Sequence, residues 1–221
     1  MHGAKAGGAA VGVTRCPWPG ISDDGYARYH DEEWGVPLTG EWAILEKLIL
    51  EGFQSGLSWL TILRKRPAFR AAFAGFDPEI VAGYGERDVA RLLADAGIVR
   101  HKGKIEAAIG NARAVLALRA SGGLEALVWR HAPPTDKVDR GGGAAAIPAE
   151  TEASRRLSKA LKAAGFRFVG PTTAYAFMQS AGLVNDHVAG CFRREDCRRL
   201  QTDFRRRRGI GGATDEPENA R

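Results

Sequence analysis

Residues 92–113 read LLADAGIVRHKGKIEAAIGNAR, with apolar residues at helical spacing on both sides of a short turn that contains Gly97 and is followed by basic residues. One reading is an ordinary pair of antiparallel helices closed by Gly97, with its charges in water. The other is a hairpin whose turn amides and following helix N-terminus face a phosphate, with Arg100, Lys102 and Lys104 adding charge. Either way the stretch is helical, and its neighbours repeat the pattern. EWAILEKLILEG (41–52), KGKIEAAIGNARAVLALRASGG (102–123), ASRRLSKALKAAG (153–165) and TTAYAFMQSAG (172–182) carry apolar residues at helical spacing and end on glycine, the usual C-terminal stop. The pattern predicts an all-α chain.

The chain has 221 residues, 44% of them hydrophobic, enough for one substantial core and one domain. Residues 1–14 are rich in Gly and Ala, and residues 193–221 are rich in Arg without apolar periodicity; both are expected to be disordered, leaving 15–192 as the folded unit. Residues 132–150, APPTDKVDRGGGAAAIPAE, form a Pro/Gly-rich connection inside it. Three cysteines argue against a disulfide framework and for a reducing, cytoplasmic address. No apolar run approaches the length of a membrane span, so no membrane partner is expected. The formal charge of +6 makes nucleic acid a plausible partner. Residues 1–15 carry +2 of it and residues 193–221 carry +3, which leaves +1 for residues 16–192. Polyanion binding by the central unit would therefore rest on local clusters such as RHKGK (100–104) and LRKRPAFR (63–70), and short basic runs are more often solvated faces.

Two pairs of soft donors stand at opposite ends of the folded part. LVNDHVAGC (183–191) supplies His187 and Cys191, which can meet on one helical face; TRCPWPG (14–20) and ARYHDEEWG (27–35) supply Cys16 and His30. A Cys2His2 set suits tetrahedral zinc, but spacing of this kind is weak evidence, and buried cysteines with satisfied core histidines are the bland alternative. A metal there would staple the N-terminal segment to the C-terminal one. Cys197, in the basic tail, reads as a spare thiol.

The stretch LILEGFQSGLSWLTIL (48–63) poses a different question. On a helix starting near Glu41, Glu51 lies about 20° from Ile44 and about 60° from Leu48, so a carboxylate shares the apolar stripe. It is either the solvent-directed partner of Lys47 at i,i+4, or an acid at a pocket edge. In the second case Gly52 and Gly56 would let a ligand approach the backbone, and Trp59 would offer a stacking face.

Taken together, RCPW, YHDEEWGVP, LEGFQSGLSW, DAGIVRHKGKI, GFRFVGPTTAYAFMQ and GLVNDHVAGC, in this order across residues 15–192, resemble the bacterial 3-methyladenine DNA glycosylase I family. The resemblance implies an all-α helix-hairpin-helix glycosylase fold. It also implies one structural zinc ion per chain on Cys16, His30, His187 and Cys191, closing the N- and C-terminal segments. It implies Glu51 and Tyr29 as catalytic residues, and Trp18, Trp59, Tyr26 and Trp34 around the base. Gly97, Arg100, Lys102, Gly103 and Lys104 are the implied DNA-contacting hairpin. Phe53 departs from the glutamine of the family pattern, which bears on pocket polarity.

The implied activity is hydrolysis of the N-glycosidic bond of 3-methyladenine in double-stranded alkylated DNA. The base is flipped out of the helix and an abasic site is left behind, by a bacterial, nucleoid-associated monomer. No lysine in the pocket motifs suits Schiff-base chemistry, so lyase activity is not expected. A zinc-stabilised protein that binds damaged DNA without cleaving it is the alternative, and release of free base separates the two. A zinc hydrolase fits worse, because HVAGC lacks the glutamate of a metalloprotease helix and four protein ligands leave no water position.

Overall fold

The computed structural model describes residues 13–134 and 147–210, and every regular element among them is helical. Ten α-helices follow in order: α1 (Asp24–Glu32), α2 (Glu41–Gln54), α3 (Trp59–Ala72), α4 (Pro78–Ala82), α5 (Glu86–Ala94), α6 (Lys102–Leu118), α7 (Gly123–Arg130), α8 (Glu152–Ala163), α9 (Pro171–Ser180) and α10 (Arg193–Arg208). No helix of the described residues is long and apolar enough to cross a membrane.

Local chemistry starts these helices where they begin. Asp23, Ser58, Asp77, His101 and Thr151 each accept a first-turn amide, and Pro78 and Pro171 occupy first-turn positions where a missing N–H costs nothing. Helix α2 is central. Residues 44–53 are buried without a break, because α2 packs against α3, α6, α7 and α9 at once. Phe53 belongs to this core, 4.8 Å from the Phe69 ring and 6.1 Å from Phe73, and is 1% exposed. It fills volume between α2 and α3 and leaves pocket polarity unchanged.

Residues 193–208, expected as disordered, form α10. Its inner face is Cys197, Gln201, Phe204 and Arg205, a helical stripe in which two of the four members are polar. Gln201 Nε2 donates to the carbonyls of Gly35 (2.7 Å) and Val184 (3.1 Å), and Arg205 donates to those of Pro133 and Leu183, both at 2.8 Å. Phe204 packs 4.4 Å from Trp129. A search for apolar periodicity misses a helix docked this way. Thr14 is ordered as well, its carbonyl accepting from Phe192 N. The remainder of the expected tails, and residues 135–146 of the Pro/Gly-rich connection, lie outside the described residues.

The N-terminal arm, residues 13–40, crosses the end of α9. Leu38 N donates to Ala181 O, and Gly182, at φ +72°, lets the Val36–Pro37 backbone pass. A Cβ on residue 182 would stand 2.5 Å from the Val36 carbonyl carbon. Gly182→Ala is therefore expected to cost more than the roughly 1–2 kcal/mol of a left-handed alanine, since the obstructing atoms are backbone. A fall in the urea midpoint at constant slope is the expected result.

Candidate active site and metal centre

The N-terminal arm, α2, the start of α3 and α9 form the wall of a cavity of about 190 Å³ lined by Trp18, Tyr26, Tyr29, Trp34, Glu51, Gln54, Trp59, Ile147, Ala176 and Gln179. The six residues expected from the sequence, Glu51, Tyr29, Trp18, Trp59, Tyr26 and Trp34, are all in its wall. A larger cleft of about 490 Å³ between α5 and α6, lined by Tyr84, Leu93, Lys102 and Arg113, has no buried acid and no aromatic cage.

Five rings build the cage. Trp18 lies 5.1 Å from Tyr26 and meets Trp34 edge-on at 4.8 Å; Tyr29 lies 5.4 Å from Trp59 and stacks with Tyr26 at 6.4 Å. Among the polar atoms of these rings, the buried Tyr29 Oη and Trp59 Nε1 have no hydrogen-bond partner among the described residues. A polar hydrogen-bonding ligand would satisfy them.

Glu51 is 4% exposed, so the solvent-directed ion pair with Lys47 does not form. Its Oε1 accepts from the Ser180 hydroxyl at 3.0 Å. Burial pushes the carboxyl above its ordinary range, and Lys47 and Ser180 offset part of that rise. Burial, and next the Glu51 charge, likewise hold the Tyr29 phenol well above its usual value. Gly52 approaches Phe168 rather than a ligand, and Gly56 (φ +86°) makes the turn that carries the chain from α2 toward Ser58 and Trp59.

Residues outside the sequence expectation complete the wall. Gln54 ends α2 at the cavity, and Gln179, from α9, is anchored by Asp186 at 2.8 Å, which also accepts from Tyr175 Oη at 2.5 Å. Ser180 and Gln179 sit in the helical pattern of TTAYAFMQSAG, but only the packing of α9 against α2 brings Ser180 to Glu51 and Gln179 to the cavity. Lys47 is also buried, 3% exposed, with Nζ 4.7 Å from the Tyr29 ring centroid and 5.4 Å from that of Trp59. It does not line the cavity, so the ammonium stands behind the aromatic wall.

Next to the cage, the ligand atoms of Cys16, His30, His187 and Cys191 lie within 4.8 Å of one another and all four residues are buried. Cys191 Sγ is 3.4 Å from His187 Nδ1 and 3.5 Å from His30 Nε2, and Cys16 Sγ is 3.5 Å from His187 Nδ1. For four N and S donors around one tetrahedral ion, bond lengths of about 2.0–2.3 Å put neighbouring donors about 3.5 Å apart, so the residues fit such an ion.

The outward ring nitrogens have acceptors. His30 Nδ1 is 2.8 Å from Asp31, whose carboxylate is held by Arg15, and His187 Nε2 is 3.1 Å from the Trp34 carbonyl. This arrangement fixes each imidazole with its other nitrogen toward the thiols. Hydrogen bonding from Cys16 and then from the imidazoles favours a thiolate at Cys191, while its bond to Cys191 and burial push Cys16 upward. Cys197, read as a spare thiol of the tail, is instead buried on α10 with Sγ 3.4 Å from His187 Nε2, the face turned away from the other thiols.

The hairpin expectation divides. Helices α5 and α6 flank a connection at residues 95–101, in which Gly97 N donates to Asp95 and the Ala96 and Gly97 carbonyls accept from Lys65. Arg100 and Lys102 are exposed and Gly103 lies in the first turn of α6. Lys104 does not join them. It is 8% exposed, and its Nζ donates to Phe53 O (2.9 Å) and Ser55 O (2.7 Å). An ammonium engaged with the orphan carbonyls at the end of α2 is not free to meet a phosphate.

Comparison with known proteins places the sequence and the fold. The methyladenine glycosylase family pattern matches residues 18–194. The chain is 51% identical over 181 residues to DNA-3-methyladenine glycosylase 1 of Escherichia coli (strain K12), covering 81% of this chain and 96% of that protein. A crystal structure of 3-methyladenine DNA glycosylase I superimposes with a TM-score of 0.77 at 48% identity, over 81% of this chain and 98% of that one. A structure describing 3-methyladenine recognition by the Staphylococcus aureus 3-methyladenine DNA glycosylase I gives 0.75 at 36% identity, over 79% and 94%. With the aromatic cage, the buried acid and the Cys/His cluster in one fold, the chain belongs to the methyladenine glycosylase family.

Proposed function

We propose that this chain excises 3-methyladenine from alkylated DNA by hydrolysing its N-glycosidic bond. The observation that carries the reading is a carboxylate, Glu51, buried in a cage of five aromatic rings. N3-methylated adenine in DNA is a cation, and a desolvated carboxylate among π faces favours it over neutral adenine. The rings of Trp18 and Trp59 are suited to stack on an extruded base, with Glu51 accepting from its N–H groups and the unpartnered Tyr29 Oη facing the same volume.

Little acid catalysis is required. The bond between the sugar C1′ and the base nitrogen breaks with its electron pair going to the base, which thereby becomes neutral. Water adds its oxygen to C1′ and releases a proton, leaving an abasic site. The Lys47 ammonium stands behind the ring wall, out of line with a Schiff base at C1′, which agrees with hydrolysis without strand cleavage. A damaged-base binder without chemistry would use the same cage, and free-base release is what distinguishes the enzyme from it.

The metal that suits Cys16, His30, His187 and Cys191 is zinc, and with four protein ligands it would supply a cross-link and no reaction step. Its second effect is indirect: His30 adjoins Tyr29, and His187 is tied to the carbonyl of Trp34, so holding the imidazoles orients two cage rings. On the DNA side, we assign α5, the 95–101 connection and α6 to a helix-hairpin-helix contact with the phosphodiester backbone, made by turn amides, Gly103 N, Arg100 and Lys102.

Glu51→Gln tests the central claim. The amide keeps the shape but removes the negative charge and turns donors toward the base; folded protein, confirmed by circular dichroism, is expected to lose single-turnover release of 3-methyladenine while keeping most DNA affinity. Wild-type release by the folded variant would remove Glu51 from the site.

For the hairpin, Arg100→Ala and Lys102→Ala should each flatten the log–log salt dependence of duplex binding by about 0.9, the effect of removing one phosphate-bound cation. An unchanged slope would return both to the solvent-facing role. For the metal, elemental analysis is expected to find one zinc per chain, with Cys191→Ser and His187→Ala losing it and melting earlier, since zinc sites in small domains contribute on the order of 10–16 kcal/mol. Full zinc retention by both variants would contradict the ligand assignment.

A further inference from the structure

The charges around the cavity form a connected set. Arg66 donates to Glu33 at 2.7 and 2.9 Å and to Glu46 at 2.6 Å, and Arg70 donates to Glu46 at 3.0 Å. Glu33 and Glu46 thus satisfy the two arginines. Lys47 is held differently. Its Nζ is 3.9 Å from Glu33 Oε2, too far for a hydrogen bond, and has no hydrogen-bond partner among the described residues although it is buried. One turn further along the same face of α2 stands Glu51, which accepts its hydrogen bond from the neutral Ser180 hydroxyl.

We propose that Lys47 is a positioning residue of the base cavity, a buried counter-cation that keeps Glu51 anionic in the empty site and backs the Tyr29 and Trp59 rings from behind. This rests on the reading of Glu51 as the acid that recognises a cationic base.

Three observations support it. Burial removes most of the water that would otherwise stabilise both charges, so each depends on the charges that face it. Those facing Glu51 are Lys47 on its own helix and the neutral phenols of Tyr26 and Tyr29 from α1, while α9 contributes only the Ser180 hydroxyl. Those facing Lys47 are Arg66 from α3, Glu33 from the end of α1, and Glu46 and Glu51 from α2. Lys47 is therefore the cation facing Glu51 among the described residues: burial raises the acid, burial and then Arg66 lower the amine, and Lys47 and Glu51 each oppose the other's shift. Finally, Nζ lies within cation–π range of two cage rings without lining the cavity, so it constrains their planes while leaving the stacking volume free.

Excision needs anionic Glu51, so activity falls as pH drops through the Glu51 titration. Removing the Lys47 charge raises that titration further and moves the acid limb of the pH profile upward.

The test is single-turnover release of 3-methyladenine from alkylated duplex DNA across the pH range, in wild type, Lys47→Met, Lys47→Gln, Lys47→Arg and Glu51→Gln. Both neutral variants are expected to shift the acid limb upward by about one pH unit, a roughly tenfold loss at the acid end with recovery at higher pH. Lys47→Arg should keep the wild-type limb. An unmoved limb in the neutral variants, or an equal loss at every pH, would overturn the proposal while inactive Glu51→Gln leaves the base-recognition reading standing. Loss of the fold in both neutral variants would assign Lys47 to packing and overturn it too. Wild-type release by folded Glu51→Gln would sink the recognition reading and this proposal with it.

Discussion

Four of the five cage rings, Trp18, Tyr26, Tyr29 and Trp34, come from an N-terminal arm that cannot hold its own shape. Its single helix has nine residues, below the length at which an isolated helix is stable in water. The arm is ordered because it is fastened to the far end of the chain. Cys16 and His30 meet His187 and Cys191, Leu38 bonds to Ala181, the Val36 backbone lies against Gly182, and Gln201 of α10 bridges Gly35 and Val184. Each of these ties joins the arm to residues more than 140 positions away. The cavity therefore exists only in the closed chain, and a metal at the Cys/His cluster would act on the chemistry by holding rings in place.

Within the closed chain, a low-dielectric interior carries an unusual density of charge. Glu46, Lys47 and Glu51 are buried on α2, and the half-buried Arg66 with the more exposed Glu33 and Arg70 completes a set balanced three against three. Buried charge of this kind contributes little to net stability after desolvation. In the proposed role of Glu51 its value is selectivity, because a carboxylate stripped of water discriminates between a cationic and a neutral base far better than one in bulk solvent. In the same proposed role the aromatic cage excludes water and offers π faces to the same positive charge.

The surface proposed to meet DNA is modest. Five of the eight arginines of α10 are paired with acids one turn away or with Glu125, so the formal charge of that helix overstates its field. Arg100 and Lys102 at the α5–α6 connection are exposed beside the N-terminus of α6, where helix amides add to a short basic run. Lys104 instead caps the C-terminus of α2 and thereby ties the hairpin to the helix that carries Glu51. The segment proposed to contact DNA is thus tied to the geometry of the cavity.

What the sequence determined by itself was whatever is written in local periodicity or in scarce residue types. The helices with apolar stripes were legible, as were Glu51 as an acid out of place on one of them, the two Cys/His pairs, and the aromatic residues near each. Tertiary structure alone decided which polar residues face inward. Gln201 and Arg205 bury themselves on backbone carbonyls of distant segments, so α10 carries no apolar signature and reads as a tail. Lys104 and Arg100 look alike four residues apart, and only the packing of α6 under the end of α2 separates a buried tie from an exposed contact. Phe53 and Lys47 follow the same rule: their roles depend on α3 and α1 lying against α2. A polar side chain's partner is set by chain closure over long sequence separations, and periodicity, which reports a single helix face, contains no record of what that face will meet.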